Sequence, residues 1–128
     1  MTGSKPGNQR EIGQAAERYA AEVLRRGGYR IVETNVRYTF GEIDLIAEHG
    51  TSLVFVEVMA RRPGRFGRAV ETLTSKKRHR VYLAVERYLQ DRRIDPARPV
   101  RIDVVAIDLD ANGRPTGHEI ILDAFGES

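Results

Sequence analysis

The apolar residues recur with a helical period in two segments of the chain. In residues 11–26 the stripe consists of Ile12, Ala16, Ala20, Val23 and Leu24, with charged residues on the opposite side. In residues 74–92 it consists of Val81, Ala84, Val85, Tyr88 and Leu89. Gly27-Gly28 is expected to end the first helix, and Thr74 or Ser75 can cap the second. The pattern predicts two amphipathic helices.

Five other segments have the composition and the flanking turn residues that are typical of strands. They are residues 29–37, 42–48, 53–59, 100–109 and 118–122. Residues 100–109 are nearly apolar on both faces around Asp103, as expected of a central strand. The helix at 74–92 separates two strands, which can lie parallel through a right-handed crossover. The order α-β-β-β-α-β-β predicts an α/β domain with a mixed central sheet and flanking helices.

Segments 42–48 and 53–59 are predicted to pair as an antiparallel hairpin around the turn at residues 49–52. In this register Asp44 faces Glu57 and Glu42 faces Met59, and alternation places these residues on one face. The other face is wholly apolar and is assigned to the core: Ile43, Leu45, Ala47, Val54, Val56 and Val58. A one-residue slip would mix the two faces, so their separation supports the register.

Asp44 and Glu57 interrupt otherwise apolar strands, which exposure to solvent or pairing with arginine explains poorly. Directly opposed residues on neighbouring strands have Cβ atoms about 4.5–5.5 Å apart. Two ionised carboxylates at that distance repel, and each raises the pKa of the other unless a cation lies between them. Mg²⁺ takes oxygen ligands of this kind. The pair is therefore a candidate site for Mg²⁺ or Mn²⁺.

Length and composition narrow the class of protein. The 128 residues fit a single domain, assigned to residues 11–128, after a flexible polar tail at residues 1–10 that lacks the apolar segment of a signal peptide. The absence of cysteine excludes disulfides, thiolate zinc sites and cysteine nucleophiles. No run of about 18 apolar residues occurs, so a membrane span is not expected. A cytoplasmic location is the expectation.

The net charge of +3 is modest, but the basic residues are clustered. Between positions 61 and 80, eight Lys or Arg residues accompany one acid, Glu71. Seven of them are candidate phosphate contacts: Arg61, Arg62, Arg65, Arg68, Lys76, Lys77 and Arg80. A solvated helix face would have a similar composition. The position of the cluster, just after the carboxylates, favours a nucleic-acid partner.

Several short motifs resemble those of a known family. They are Gly13-x-x-x-Glu17, Asn35-x-Arg37, Gly41-Glu42-Ile43-Asp44-Leu45-Ile46, Val54-Phe55-Val56-Glu57-Val58, Phe66-Gly67, Lys76, Ala84, Tyr88-Leu89 and Arg101-x-Asp103-Val104-Val105. Together they resemble the YraN-type family, an uncharacterised bacterial family within the PD-(D/E)XK endonuclease-like superfamily, similar in outline to archaeal Holliday-junction resolvases. The resemblance covers about residues 11–125.

This resemblance implies a restriction-endonuclease-like core and a Mg²⁺-dependent site that acts on branched or structured DNA. Asp44 and Glu57 would be metal ligands, and Glu17 would reach the same metal directly or through water. Many resolvase-like nucleases are homodimers, so a dimer is compatible with the resemblance. The competing interpretation is a non-catalytic interaction protein whose basic face binds an acidic protein partner.

Met59 departs from the pattern, because the catalytic position two residues after the glutamate holds a lysine in such nucleases. Methionine has neither a titratable group nor a hydrogen-bond donor. Three interpretations remain open. A relocated cation replaces the lysine, and Lys76 suits this role better than the permanently protonated Arg61; or the domain binds nucleic acid without cutting it; or Met59 is particular to this chain. Catalysis is therefore undecided by the sequence.

Overall fold

The computed structural model of the chain describes residues 8–62 and 74–125. Within these ranges the elements are α1 (Gln9–Arg26), β1 (Arg30–Tyr38), β2 (Gly41–His49), β3 (Ser52–Arg61), α2 (Ser75–Asp91), β4 (Val100–Leu109) and β5 (Pro115–Ile121). This is the predicted order, and it confirms the α/β class. Helix α1 begins at Gln9, inside the ten residues expected to form a tail. Neither helix has the length and apolar character needed to cross a membrane.

Side chains fix where each helix begins. Asn8 caps α1 by accepting a hydrogen bond from the backbone N–H of Glu11 at 2.8 Å. After α1, Gly28 takes the left-handed conformation, with φ of 88°. Thr74 caps α2, because its hydroxyl accepts from the backbone N–H of Lys77 at 3.1 Å. Of the two predicted caps it is therefore Thr74 that sets the first turn of α2.

The five strands form one sheet in the order β1-β2-β3-β4-β5. Strands β3 and β4 are parallel, and the remaining neighbours are antiparallel. The predicted mixed sheet is thus confirmed, with α2 connecting its two parallel strands. This connection places α2 beside the strands that carry the acidic residues.

The two helices contribute to separate apolar clusters on the two faces of the sheet. One cluster joins α1 to the sheet and includes Ala20, Leu24, Val54, Val56 and Val105. The other joins α2 to the sheet and includes Val81, Ala84, Phe55, Val104 and Ala106. Both faces of the central strands are therefore buried, which accounts for their nearly continuous apolar sequence.

One predicted core position lies on the other face. Ile43 belongs to the α2 cluster, whereas Leu45 belongs to the α1 cluster. The ladder between β2 and β3 ends at the pair Leu45–Val56, and from there β2 pairs with β1 alone. Strict alternation across the hairpin therefore does not extend to Ile43, and its assignment to the same face as Leu45 was wrong.

The close approach of α2 to the first residue of β2 leaves space only for a glycine, Gly41. A Cβ at this position would lie 2.4 Å from the Arg80 carbonyl oxygen, a contact that backbone atoms do not tolerate. We expect Gly41→Ala to lower the free energy of unfolding by about 1–3 kcal/mol, the usual effect of overpacking. Gly13→Ala is the matched control in a denaturant titration, because a Cβ there meets nothing within 4 Å. An equal effect of both changes would contradict this packing.

Candidate metal centre

The two predicted acidic ligands come together where β2 and β3 separate. The register of the hairpin is confirmed by the pair Ile46–Phe55. The ladder stops one pair before Asp44 and Glu57, so these two are not backbone partners as the extrapolated register had placed them. Instead, Asp44 Oδ2 accepts a hydrogen bond from the backbone N–H of Val58 at 2.8 Å. The Asp44 side chain therefore links β2 to β3 beyond the point where their backbone pairing ends.

Both carboxyl groups are shielded from water. Glu57 is 3% exposed, and its Oε2 has no hydrogen-bond partner among the described residues. Burial raises the pKa of Glu57 to about 8, and the nearby charge of Asp44 adds to this effect. Burial also raises the pKa of Asp44 to about 6, opposed by the Val58 N–H and reinforced by the charge of Glu17. The pair resists carrying two negative charges unless a cation compensates them.

A small cleft opens beside Glu57 on the α2 face of the sheet. Its volume is about 70 Å³, which is room for about two water molecules or a partly hydrated ion. The lining consists of Gly41, Glu42, Glu57, Lys77, Arg80 and Val81. The charge of Lys77 lowers the pKa of both Asp44 and Glu57, so its ammonium group acts on the whole pair. The cleft thus combines the buried Glu57 and the exposed Glu42 with two exposed cations, while Asp44 lies outside its lining.

These residues fit a hard divalent cation. The donors are carboxylate oxygens, one of them is buried without a partner, and there is space beside it. Mg²⁺ is usually bound through one or two carboxylates, with water and substrate phosphate as the other ligands. In the described ranges, no three His, Asp or Glu side chains converge into a ready ligand set. The arrangement is a two-carboxylate centre, and Glu17 as a third ligand stays a prediction.

Met59 lies on the same face of the sheet as Glu57. The β4 partners of these two residues, Ala106 and Val104, both belong to the α2 cluster. Met59 is partly buried and packs against this cluster. Met59 therefore shares a sheet face with Glu57, as the hairpin register predicted, and its side chain packs against the α2 cluster on that face.

The predicted cations differ in their relation to the cleft. Arg61 is engaged by two acids, with Nε 2.8 Å from Asp108 and a terminal nitrogen 3.2 Å from Glu119. Arg80 lines the cleft while its Nε donates to the Phe40 carbonyl oxygen at 3.3 Å. Arg62 directly follows β3 and is partly buried. Arg65 and Arg68 lie outside the described residues.

The cleft is lined by Lys77, and not by Lys76, the residue expected to replace the missing lysine. The sequence contained a signal for this. Lys77 is four residues before Val81, so it lies on the same side of α2 as the buried stripe, although its own side chain is exposed. Lys76 is the preceding residue and therefore points about 100° away from that side, measured around the helix axis.

Most of the chain, including the segments that carry both carboxylates and Lys77, matches a known protein family. The model of the uncharacterised protein family UPF0102 matches residues 16–107. A UPF0102 protein of Hahella chejuensis is 46% identical over 115 residues, which are 90% of this chain and 90% of that protein. A UPF0102 protein of Dehalococcoides mccartyi is 38% identical over 121 residues, 94% of this chain and 97% of that protein. The family resemblance is thus confirmed: the chain belongs to the uncharacterised protein family UPF0102.

Proposed function

We propose that this protein is a divalent-cation-dependent nuclease of the PD-(D/E)XK type that acts on branched or structured DNA. The observation that carries the proposal is the pair of the buried Glu57 and the partly buried Asp44, in which one Glu57 oxygen has no partner among the described residues and lies beside a cleft. A carboxyl group that burial keeps protonated up to about pH 8, with one oxygen unbonded by any described residue, adds little to the stability of the fold, so a purely structural role explains it poorly. A site that receives a cation and a phosphate explains it directly.

Asp44 and Glu57 would hold the ion, and the Val58 N–H fixes the orientation of the Asp44 carboxylate. When bound, Mg²⁺ or Mn²⁺ supplies Lewis acidity toward the scissile phosphate and lowers the pKa of a bound water. The β-strands supply a rigid platform, since both faces are packed against helices. Such rigidity keeps the reacting groups in place, which contributes a large part of enzymatic rate enhancement.

Phosphate binding would use the exposed cations at the rim of the cleft. Lys77 and Arg80 line it, and Lys76 is exposed in the same turn of α2. Arg62 would add to these contacts, and Arg65 and Arg68 stay candidates from the sequence alone. Arg61 contributes less, because Asp108 and Glu119 already compensate its charge. These contacts would bind the DNA backbone irrespective of sequence.

A cleavage assay tests this proposal. Labelled four-way junctions, splayed duplexes and linear duplexes are incubated with Mg²⁺ or Mn²⁺ and the parent protein, Asp44→Asn or Asp91→Asn. We expect junction cleavage by the parent, a loss of about 100-fold or more in Asp44→Asn, and parental rates in Asp91→Asn, an exposed acid at the far end of α2. The affinity for DNA should fall steeply with added salt.

The opposite results have distinct meanings. Salt-dependent DNA binding without cleavage in either ion would contradict the catalytic part of the proposal. An absence of both cleavage and DNA binding would contradict it entirely, and would favour an acidic protein as the partner of the basic surface.

A further inference from the structure

We propose that Lys77 supplies the positive charge that Met59 cannot, by contacting the scissile phosphate in the carboxylate cleft. This inference rests on the proposed nuclease function and assigns a catalytic residue to it. Lys77 on α2 would thus do the work expected of a lysine at position 59 of β3, since α2 packs against the face of the sheet that Met59 occupies.

The position of Lys77 follows from the way α2 begins. Its backbone N–H donates to the Thr74 hydroxyl at 3.1 Å, which fixes its place in the first turn of the helix. Four residues later Val81 is buried against the sheet, and both residues line the cleft together with Glu57. Lys77 therefore shares the cleft with Glu57, and its charge acts on both carboxyl groups from the face of the sheet that Met59 also occupies.

The charges around the carboxylate pair support this position. Besides the pair itself, Glu17 and Glu42 add negative charge, and among the described residues Lys77 contributes a positive charge that acts on both carboxyl groups. Within the described residues Lys77 enters no ion pair, in contrast to Arg61 with its two acidic partners. Arg80 is bonded to the Phe40 carbonyl, and Lys76 does not line the cleft. Among the cations of residues 8–62 and 74–125, Lys77 thus combines a place in the cleft lining with an effect on both carboxyl groups and no ion pair.

The role is electrostatic. In hydrolysis, the oxygen of a water molecule bonds to phosphorus while the P–O bond to one sugar oxygen breaks. The proton of the attacking water passes to solvent, and the leaving oxygen takes a proton from solvent. The ammonium group of Lys77 donates a hydrogen bond to a non-bridging phosphate oxygen as negative charge develops there, and remains protonated throughout.

The test compares the parent, Lys77→Ala, and Lys77→Ala combined with Met59→Lys, with Arg87→Ala as a control that removes a distant cation of α2. The cleavage rate at saturating junction DNA is measured, and Mg²⁺ binding is measured by calorimetry without DNA. For Lys77→Ala we expect a loss of about 100-fold or more in kcat, typical of a lost oxyanion donor. Mg²⁺ affinity should be unchanged or higher, since a neighbouring positive charge is removed. Met59→Lys should restore kcat at least about tenfold.

Four results would overturn the assignment. If Lys77→Ala cuts within about threefold of the parent rate, Lys77 is not a catalytic residue. If Lys76→Ala loses more kcat than Lys77→Ala, the role belongs to Lys76. If Lys77→Ala loses both Mg²⁺ binding and cleavage, the role of Lys77 is structural. A failure of Met59→Lys to restore any activity shows that the strand and helix positions are not equivalent. If the parent itself does not cut, the proposed function fails first, and this inference fails with it.

Discussion

Glu57→Gln should make the metal-free protein more stable than the parent at pH 9. The parent must keep a buried carboxylate ionised at that pH, next to the ionised Asp44, and none of the residues that the structure describes bonds to one of its oxygens. Glutamine has nearly the same shape and carries no charge. We expect a gain of about 1–3 kcal/mol in the free energy of unfolding, the usual magnitude for a buried polar group that lacks a partner.

The pH dependence has a defined sign. The pKa of Glu57 is raised from 4.5 to about 8 and that of Asp44 from 3.8 to about 6. Between the ordinary and the raised values the folded protein binds more protons than the unfolded chain. Stability therefore decreases as the pH rises through this window, and the decrease is complete above about pH 8.

Urea titrations between pH 5 and pH 9 in the presence of a chelator measure this effect. The curve of the parent should fall more steeply than that of Glu57→Gln. Glu86→Gln is the matched control, since Glu86 is exposed on α2, and its curve should run parallel to that of the parent. If Glu57→Gln were less stable than the parent at every pH, Glu57 would be a paired structural acid and the account of the site would be wrong.

Asp103→Ala should cause a large loss of stability. Asp103 is fully buried, and its carboxylate accepts from the Tyr29 hydroxyl at 2.9 Å, the Arg101 Nε at 3.0 Å and the backbone N–H of Asp123 at 2.9 Å. Alanine leaves the guanidinium and the hydroxyl without their buried acceptor. We expect about 3–5 kcal/mol less free energy of unfolding, as for other buried ion pairs that lose one partner.

Asp108→Ala provides the comparison for this change. Asp108 is also on β4 and is paired with Arg61, but its side chain is 46% exposed. Its loss should therefore lower stability by about 1 kcal/mol or less. Thermal and urea unfolding of both variants give the measurement. Similar losses for Asp103→Ala and Asp108→Ala would show that burial of the Asp103 network contributes little.

The Asp103 network also gives a structural meaning to one of the sequence motifs. Arg101 and Asp103 belong to the Arg-x-Asp-Val-Val segment that resembles the family, yet they do not approach the cleft. Asp103 bonds to Tyr29, which packs with α1, whereas Glu57 lies on the α2 face of the sheet. Arg101 further contacts His49 at 2.6 Å, and the His49 ring stacks on Tyr29. The motif anchors α1 and the hairpin end to β4.

The sequence was sufficient to predict the elements and the acidic pair, because both depend on local periodicity. The two helices follow a period of 3.6 residues, and Asp44 and Glu57 stand out as charges within apolar strands. The side of Ile43 could not be predicted, since it depends on where the β2–β3 ladder ends. Lys77 was identified as basic but not as the lysine of the cleft: its spacing from Val81 indicates its side of α2, but the place where that side meets Glu57 depends on how α2 packs on the sheet.

Calorimetric titration of Mn²⁺ into the DNA-free protein at pH 7 tests the central claim most directly. The account predicts that the parent binds the ion with release of protons, because the raised pKa of Glu57 leaves that carboxyl largely protonated at this pH. Repeating the titration in buffers of different ionisation enthalpy detects the protons. Glu57→Gln should lose this binding, whereas Glu86→Gln should retain it. Mn²⁺ binding of equal affinity in the parent and Glu57→Gln, or no binding by the parent, would contradict the assignment of the Asp44–Glu57 pair as a metal centre.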